Sequence, residues 1–358
     1  MKLSFVWNVW NNYEDTQLGS AILAHLNARD AVFSALEMHS QGGYPEPPTA
    51  VQLRHLAGHL DVPVAAELVE LWEHPKFAGA YRVLNGLFQA YRLGREAGSD
   101  FVVVTNGDAW CLDLKKLRRL LETDGIRGCA VGCRVGCATG VVNSWGDYVP
   151  FYDDHFIILN VRNCAAYGVF AGGEPRAYRA VFRKWGGIHY MLGALYDELV
   201  PPGMLHVYTH LGDAVNHYGE RSGLCLLPWQ YQPSLGFLHA NCAQEPDLHP
   251  LRAAMLRHHG LDCVPEVAEY CARHPADAEY GRRGDTVFYR AGAFERLKVW
   301  LLAGKVLWPG AIYRLFGLNA RKDAEKRLGL PGARCLEYQD SYTGILPLPL
   351  ASRRRNSL

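Results

Sequence analysis

Residues 100–113 read DFVVVTNGDAWCLD, and this stretch decides the fold. Four consecutive apolar residues, Phe101 to Val104, lead directly into the polar sequence TNGD at 105–108. The pattern is typical of a parallel strand that is buried on both faces and ends in a polar turn. Ligands of open α/β sheets bind at the carboxyl ends of the strands, where the loops converge on a crevice. Asp108 is therefore the first candidate functional residue, although Asn-Gly and Gly-Asp are also ordinary turn sequences.

Strands and amphipathic helices alternate before this stretch. Residues 2–11 are almost continuously apolar and predict the first strand, and residues 18–26 repeat Leu and Ile at helical spacing. Residues 80–91 place apolar side chains on one helical face directly before the next strand. A helix that feeds a buried strand in this way predicts a βαβ crossover. The fold class is therefore α/β, with a mostly parallel central sheet flanked by helices, and further strands are expected at 31–38, 64–71, 127–135 and 155–161.

Composition excludes several classes of protein. The chain has 358 residues, of which 49% are hydrophobic and 20% are charged, so a packed core is expected and wholesale disorder is not. No apolar run is long enough for a transmembrane helix, and the pattern of a secretory signal is missing, which predicts a cytoplasmic protein. The ten cysteines are then expected to be free thiols. Cys129, Cys133 and Cys137 recur every four residues but lack the paired spacing of a zinc site.

Four stretches occur together in a recognisable order. They are KFAGAYRVLNGLFQA (76–90), FVVVTNGDAW (101–110), DDHFIILNVRNCAAYGVF (153–170) and HLGDAVNHYGERSGLCLLP (210–228). With them, the chain resembles the nucleotide-sugar-dependent glycosyltransferases of the GT-A fold, within the large, mostly inverting family that builds bacterial polysaccharides. The resemblance spans residues 1–245. It implies a GT-A type of α/β fold, a nucleoside-diphosphate sugar as donor, and a glycan or polyprenyl-linked acceptor.

The resemblance also implies roles for individual residues. Asp108 is expected to contact the donor diphosphate and a divalent cation, Mn or Mg, which stabilises the departing pyrophosphate as a Lewis acid. Asn106 stands where the family usually has the first acid of its D-x-D motif, so the site has one charge fewer. His239, in GFLHAN, is expected to be a further metal ligand. Asp213 is expected to be the general base that deprotonates the acceptor hydroxyl; as a residue just before a helix it also suits an N-cap.

Five other residues are expected to line the substrate sites. Asp153 and Asp154 precede a predicted strand and are assigned to the acceptor, although adjacent acids are also common in solvated loops. The donor is expected to contact Asn8 and Asn11 at the end of the first strand, where nucleotides often bind, and Lys76. A Lys near a helix start also commonly faces solvent.

The last part of the chain differs from the rest. Residues 282–358 contain 15 Lys+Arg against 6 Asp+Glu, although the whole chain has a formal charge of only +1. Residues 246–358 are therefore expected to be a basic, helical extension to a catalytic domain at 1–245. Within it, 294–316 interleaves basic and aromatic residues, as in an interfacial helix on an anionic bilayer. The protein would then be peripheral at the inner face of the cell membrane; packing on the main domain with snorkelling Lys and Arg is the alternative.

Three other classes of protein fit the sequence less well than a glycosyltransferase does. A dinucleotide-binding oxidoreductase is disfavoured because no G-x-G-x-x-G follows the first strand. A sugar-nucleotide pyrophosphorylase would usually carry a Gly-rich loop with Arg there, and VWNNYEDTQLG at 9–19 has none. Because Asn106 replaces the usual first acid, one alternative stays open: a non-catalytic, degenerate transferase fold that serves as a partner for assembly enzymes. Nucleic acid is not expected as a partner, because no recognised binding motif accompanies the basic tail.

Overall fold

The fold is taken from a computed structural model of the chain. The structure describes residues 1–9, 13–42, 64–68, 78–135, 141–142, 148–149, 152–170, 192, 195–196, 199–209, 231–232, 236–239, 249–275, 280–283, 286–289 and 337–338. The strands are Lys2–Val9 (β1), Ala35–Gly42 (β2), Val64–Leu68 (β3), Phe101–Asn106 (β4), Ala109–Cys111 (β5), Val131–Val135 (β6), Val141–Val142 (β7), Tyr148–Val149 (β8), Tyr152–Asn160 (β9), Leu205–Thr209 (β10), Tyr231–Gln232 (β11), Phe237–His239 (β12), Tyr280–Arg283 (β13), Thr286–Tyr289 (β14) and Glu337–Tyr338 (β15). The helices are Tyr13–Asp30 (α1), Ala78–Glu96 (α2), Leu114–Leu121 (α3), Asp124–Gly128 (α4), Val161–Tyr167 (α5), His249–His258 (α6) and Pro265–Arg273 (α7).

Within the described residues, eight strands form the central sheet, in the order β15-β10-β6-β9-β4-β1-β2-β3. Every neighbouring pair is parallel except those of β9, which runs antiparallel to both β4 and β6. The expected α/β class with a mostly parallel sheet is confirmed. Because β1 lies between β2 and β4, the order of connection reverses next to β1, and a reversal of this kind opens a crevice at the carboxyl ends of the strands.

Side chains of the central strands alternate between two buried clusters. Phe5 of β1 and Val103 of β4 belong to one cluster, together with residues of α1, α3, α6 and α7. Val6 and Val104 belong to the other, together with residues of α2 and α5. Alternation along a strand places successive side chains on opposite faces of the sheet, so the helices cover both faces. This double cover is why the first four residues of β4, Phe101 to Val104, are all apolar.

Helices α6 and α7 follow the expected domain boundary at 245, and they pack into the same cluster as β1 and α1. The ring of Tyr270, on α7, meets the buried ring of Trp110 edge-on at a centroid distance of 5.8 Å. The indole nitrogen of Trp110 donates a hydrogen bond of 2.7 Å to the carbonyl oxygen of Asp15 on α1. Trp110 of β5 thus contacts both α1 and α7, which are distant from it in the sequence.

Local structure departs from the sequence-based expectations at four places. The strand expected at 155–161 spans Tyr152–Asn160, so Asp153 and Asp154 lie within the strand and not before it. The strand expected at 127–135 begins only at Val131, because α4 includes Arg127 and ends at Gly128. The side-chain amides of Asn160 and Asn163 both donate to the carbonyl oxygen of Arg127, which stabilises that helical turn. The strand expected at 31–38 begins and ends four residues later, and α5 was not expected at all. Among the helices in the described part of the chain, none combines the length and the apolar character that a membrane span requires.

Candidate functional site

Two asparagines predicted to contact the donor lie side by side at the carboxyl edge of the sheet. The register of β1 with β4 pairs Asn8 with Asn106, and the backbone N–H of Gly107 donates to the carbonyl oxygen of Asn8 at 3.1 Å. Both side chains are buried, with Asn8 only 2% exposed. Within the described residues, neither side-chain polar atom of Asn8 has a hydrogen-bond partner, and neither does Oδ1 of Asn106. Buried polar atoms are normally paired, so these atoms mark a position suited to a polar ligand.

Helix α2 approaches Asn8 closely because it carries a glycine there. A Cβ atom added to Gly86 would meet Oδ1 of Asn8 as its nearest neighbour, at a distance that requires something to shift. The absence of a side chain at Gly86 therefore lets the backbone of α2 lie directly against the Asn8 amide. This close approach of helix to strand end was not predicted from the sequence.

Asp108 and His239, which were both predicted to be metal ligands, face each other. Nε2 of His239 lies 3.3 Å from Oδ2 of Asp108, although 131 residues separate them. The contact arises because β5 pairs antiparallel with β12, with His239 opposite Ala109. Gly236 directly precedes β12 and has a φ of +66°, and a Cβ atom added to it would collide with Asp113. Only glycine suits both the left-handed backbone and the close approach.

The electrostatics of the pair keep Asp108 ionised. Burial of the carboxyl group favours its neutral form, but the hydrogen bond from His239 and the charges of His239 and His155 outweigh burial and lower the pKa of Asp108. Its second oxygen, Oδ1, is buried and has no hydrogen-bond partner among the described residues. A carboxylate oxygen beside an imidazole nitrogen is a donor set that suits Mn²⁺ well and Mg²⁺ less well. The pair therefore fits a divalent cation, as two ligands of a larger set.

Strand β9 adds a second acid and a second histidine to this edge. Asp154 is buried, and its Oδ1 lies 3.2 Å from Nδ1 of His155. The ring of His155 packs on that of His239 with 3.8 Å between the centroids. Asp154, predicted as an acceptor contact, is thus connected to the Asp108–His239 pair through His155. His155 was missed from the sequence, where the only signal was its position directly after the two acids at the start of a strand.

Several predicted residues lie outside the described residues. They are Asn11, Lys76 and Asp213, together with the segment 294–316. Asp153 lies within β9, next to Asp154. In the described ranges, no three His, Cys, Asp or Glu side chains are grouped so that they could hold a metal ion by themselves.

The described cysteines agree with the expectation of free thiols. Cys129 and Cys133 are both buried, and the Sγ of Cys129 donates to the carbonyl oxygen of Ile126. Burial raises the pKa of Cys129 to about 12, so the thiol stays protonated and is a poor metal ligand at neutral pH.

No known family model matches the chain, and neither does any curated protein sequence. Solved structures do overlap with it. The galactosyltransferase LgtC, in complex with donor and acceptor sugar analogs, is 12% identical with a TM-score of 0.43, over 78% of this chain and 98% of LgtC. Mouse xyloside xylosyltransferase 1 is 12% identical with a TM-score of 0.37, over 68% of this chain and 98% of that protein. Core-mannan synthase A of Aspergillus fumigatus, in a Mn/GDP form, is 11% identical with a TM-score of 0.34, over 58% of this chain and 73% of the synthase. All three are glycosyltransferases, but at these values the overlaps carry no argument about activity, which has to come from the site itself.

Proposed function

We propose that this protein is a glycosyltransferase that moves a sugar from a nucleoside-diphosphate sugar to a hydroxyl of a glycan or polyprenyl-linked acceptor. The observation that carries the proposal is the Asp108–His239 contact of 3.3 Å at the carboxyl end of β4. Donor binding next to this pair would bring the diphosphate to the topological reversal beside β1, which is the preferred ligand position in an open α/β sheet.

Asn8 and Asn106 are proposed to bind the donor from the floor of this crevice. Each amide offers an N–H donor and a carbonyl acceptor, and three of these four polar atoms have no partner within the described residues. A bound nucleotide sugar would supply the missing hydrogen bonds. Asn11 and Lys76 complete the proposed donor contacts.

Asp108 and His239 are proposed to hold a divalent cation, Mn²⁺ or Mg²⁺, together with oxygens of the donor diphosphate. When bound, the cation supplies the positive charge that stabilises the leaving nucleoside diphosphate. The free Oδ1 of Asp108 and the lowered pKa of its carboxyl group keep a full carboxylate available for this purpose. Because Asn106 contributes no charge, the donor phosphates have to provide more of the cation's ligands than they would beside two acids.

Asp213 is proposed as the general base. In an inverting transfer, its carboxylate would accept the proton of the acceptor hydroxyl while the hydroxyl oxygen attacks the anomeric carbon opposite the leaving group. Asp153 and Asp154 are proposed to orient the acceptor. The segment 294–316 is proposed to bring the enzyme to an anionic membrane surface at the cytoplasmic face, where a polyprenyl-linked acceptor would be available.

Binding and hydrolysis of a panel of nucleotide sugars, with and without Mn²⁺ or Mg²⁺, test the proposal. Binding of one nucleoside diphosphate that strengthens with metal is the expected result. If no nucleoside diphosphate binds under any of these conditions, the transferase assignment is wrong.

The base has its own test. Asp213→Asn should lower the rate of sugar transfer by about 10²-fold or more, because general base catalysis contributes about 10²–10⁴-fold to a rate. Donor binding should be unchanged. Unchanged turnover in this variant would exclude Asp213 as the base. The tail is tested by flotation with anionic vesicles. A chain that ends near Arg282 should bind lipid more weakly than the full chain, and equal binding by the two would exclude the tail as a membrane anchor.

A further inference from the structure

Four side chains form a continuous row across the candidate site. Asp154 Oδ1 is 3.2 Å from His155 Nδ1, the rings of His155 and His239 lie 3.8 Å apart with 40° between their planes, and His239 Nε2 is 3.3 Å from Asp108 Oδ2. The row joins β9 to β12 and β4, and it joins the proposed acceptor contact to the proposed cation ligands. His155 occupies the middle of the row and has no role in the function proposed above.

His155 contacts His239, which is one of the two proposed cation ligands. Nδ1 of His155 lies 3.2 Å from Oδ1 of Asp154, and the ring of His155 lies against that of His239 with 40° between the two planes. Among the described residues, the acidic and histidine side chains of this edge do not form a three-ligand group for a metal. The contact by which His155 can influence a cation at Asp108 and His239 is its contact with the ring of His239.

We propose that His155 is a positioning residue that fixes the orientation of the His239 imidazole and so sets the affinity of the site for a divalent cation. The ring of His155, which lies between Asp154 and His239, prevents the ring of His239 from turning away from Asp108. The inference rests on the proposed function, because it concerns the cation assigned there to Asp108 and His239.

The physical reason is preorganisation. A histidine ring that can rotate loses conformational freedom when it binds a cation, whereas a ring already packed in the ligating orientation loses little. The side chain of His239 is 11% exposed and that of His155 is 20% exposed, so protein atoms surround most of both rings. Contacts behind a metal ligand commonly change metal affinity by 10–100-fold.

The test uses the full-length protein and Mn²⁺ alone, with free Mn²⁺ followed by electron paramagnetic resonance. His155→Ala removes the packed ring and should weaken Mn²⁺ binding by about 10-fold. His155→Phe keeps a flat ring against His239 and should stay within about threefold of the natural protein, since it retains the packing on which the effect depends. His239→Ala, which removes the ligand, serves as the reference for complete loss, and a thermal melt of each variant checks that it is folded.

A kinetic measurement separates positioning from general damage. At low Mn²⁺ His155→Ala should lose activity, and at saturating Mn²⁺ it should recover, so that the change falls on the Mn²⁺ concentration for half-maximal rate. The inference is overturned if His155→Ala binds Mn²⁺ as the natural protein does, or if His155→Phe is as weak as His155→Ala, which would indicate direct ligation. Binding of UDP and GDP measured in parallel keeps the two proposals apart: loss of the inference leaves nucleotide binding intact, whereas failure of the proposed function shows as no nucleotide binding by the natural protein.

Discussion

At the amino ends of β1 and β4, polar side chains are bonded to one another, whereas at the carboxyl ends of the same strands buried polar atoms lack partners within the described residues. Ser4 and Ser99 share a buried hydrogen bond of 2.6 Å, and the carboxylate of Asp100 accepts one of 2.7 Å from the backbone N–H of Lys2. The amide of Asn8 has no such partner in the described part of the chain. An unpaired buried polar group costs free energy of folding, so its presence at one end alone supports the assignment of that end to a ligand.

The largest expected difference between the carboxyl and amino ends of these strands is in the effect of substitutions on kcat/KM. Asp108→Asn should lower kcat/KM by at least about 10²-fold, because it removes the carboxylate that faces His239. Asp100→Asn makes the same chemical change at the amino end and should leave kcat/KM within about twofold, as expected of a substitution away from the site. Initial rates at saturating Mn²⁺ measure both. Equal losses in the two variants would remove the functional distinction between the ends.

The second difference concerns the pH dependence of stability. His206 lies at the amino end of β10, and burial lowers its pKa from 6.5 to about 4. Below pH 6.5 the unfolded chain takes up a proton that the folded chain excludes, so stability falls as the pH drops from about 6.5 to about 4, by up to about 3 kcal/mol. His206→Phe should flatten this dependence in urea unfolding at pH 7, 6 and 5.

Asp108 provides the control for that experiment. Its pKa is lowered from 3.8, so its contribution to stability is present above that value and is lost only as the pH falls through the lower, folded pKa. The ionisation of the Asp108 carboxyl group itself therefore lies below the range of pH 7 to 5 and does not explain a slope there. A His206→Phe variant with the same slope as the natural protein would contradict the assignment to His206.

The third comparison sets one buried polar residue of β1 against another. Ser4→Ala leaves the hydroxyl of Ser99 buried without its partner and should cost about 1–3 kcal/mol of unfolding free energy with little effect on donor binding. Asn8→Ala removes atoms that have no partner in the described residues, so it should change stability by less than Ser4→Ala does and weaken nucleoside diphosphate binding by about 10-fold. Urea unfolding and calorimetric titration measure the two effects. A larger stability loss in Asn8→Ala than in Ser4→Ala would show that Asn8 serves the fold.

The smallest expected effect comes from two glycines of α2. An added methyl at Gly86 would meet the side chain of Asn8, whereas one at Gly94 would meet the side chain of Val102. Gly86→Ala should weaken nucleotide binding by roughly three- to fivefold as the amide is displaced, since the site is altered without losing a group. Gly94→Ala should instead cost about 1–3 kcal/mol of stability through overpacking and leave binding unchanged. The same binding loss in both would point to a general shift of α2.

The elements that the sequence predicted well are those with a strong local period. The apolar run of β4 follows from burial on two faces, and the spacing of the apolar residues in α2 follows from burial on one face. Here the local pattern and the tertiary environment require the same residues. The capping turn at α4 escaped prediction because the amides of Asn160 and Asn163, more than thirty residues away, stabilise it.

The candidate site was predicted less completely than the fold. The pairing of Asp108 with His239 followed from a family resemblance, since nothing local to β5 or β12 reveals that three-residue strands from distant segments lie together. His155 could not be identified in this way, because its position depends on the register between β9 and β4 and on the turn that delivers β12. Contacts of this kind depend on several long-range pairings at once.

The packing of Tyr270 on Trp110 has a consequence for how the protein is made. Trp110 leaves the ribosome long before Tyr270, yet the two rings complete one buried cluster with α1. During synthesis, the strand ends that form the site are therefore already outside the ribosome while the apolar surface behind Trp110 is still uncovered. Partly synthesised chains with exposed apolar surface are prone to aggregation and are the species that chaperones bind. We expect the region around Trp110 to become protected from proteolysis only after α7 has been translated.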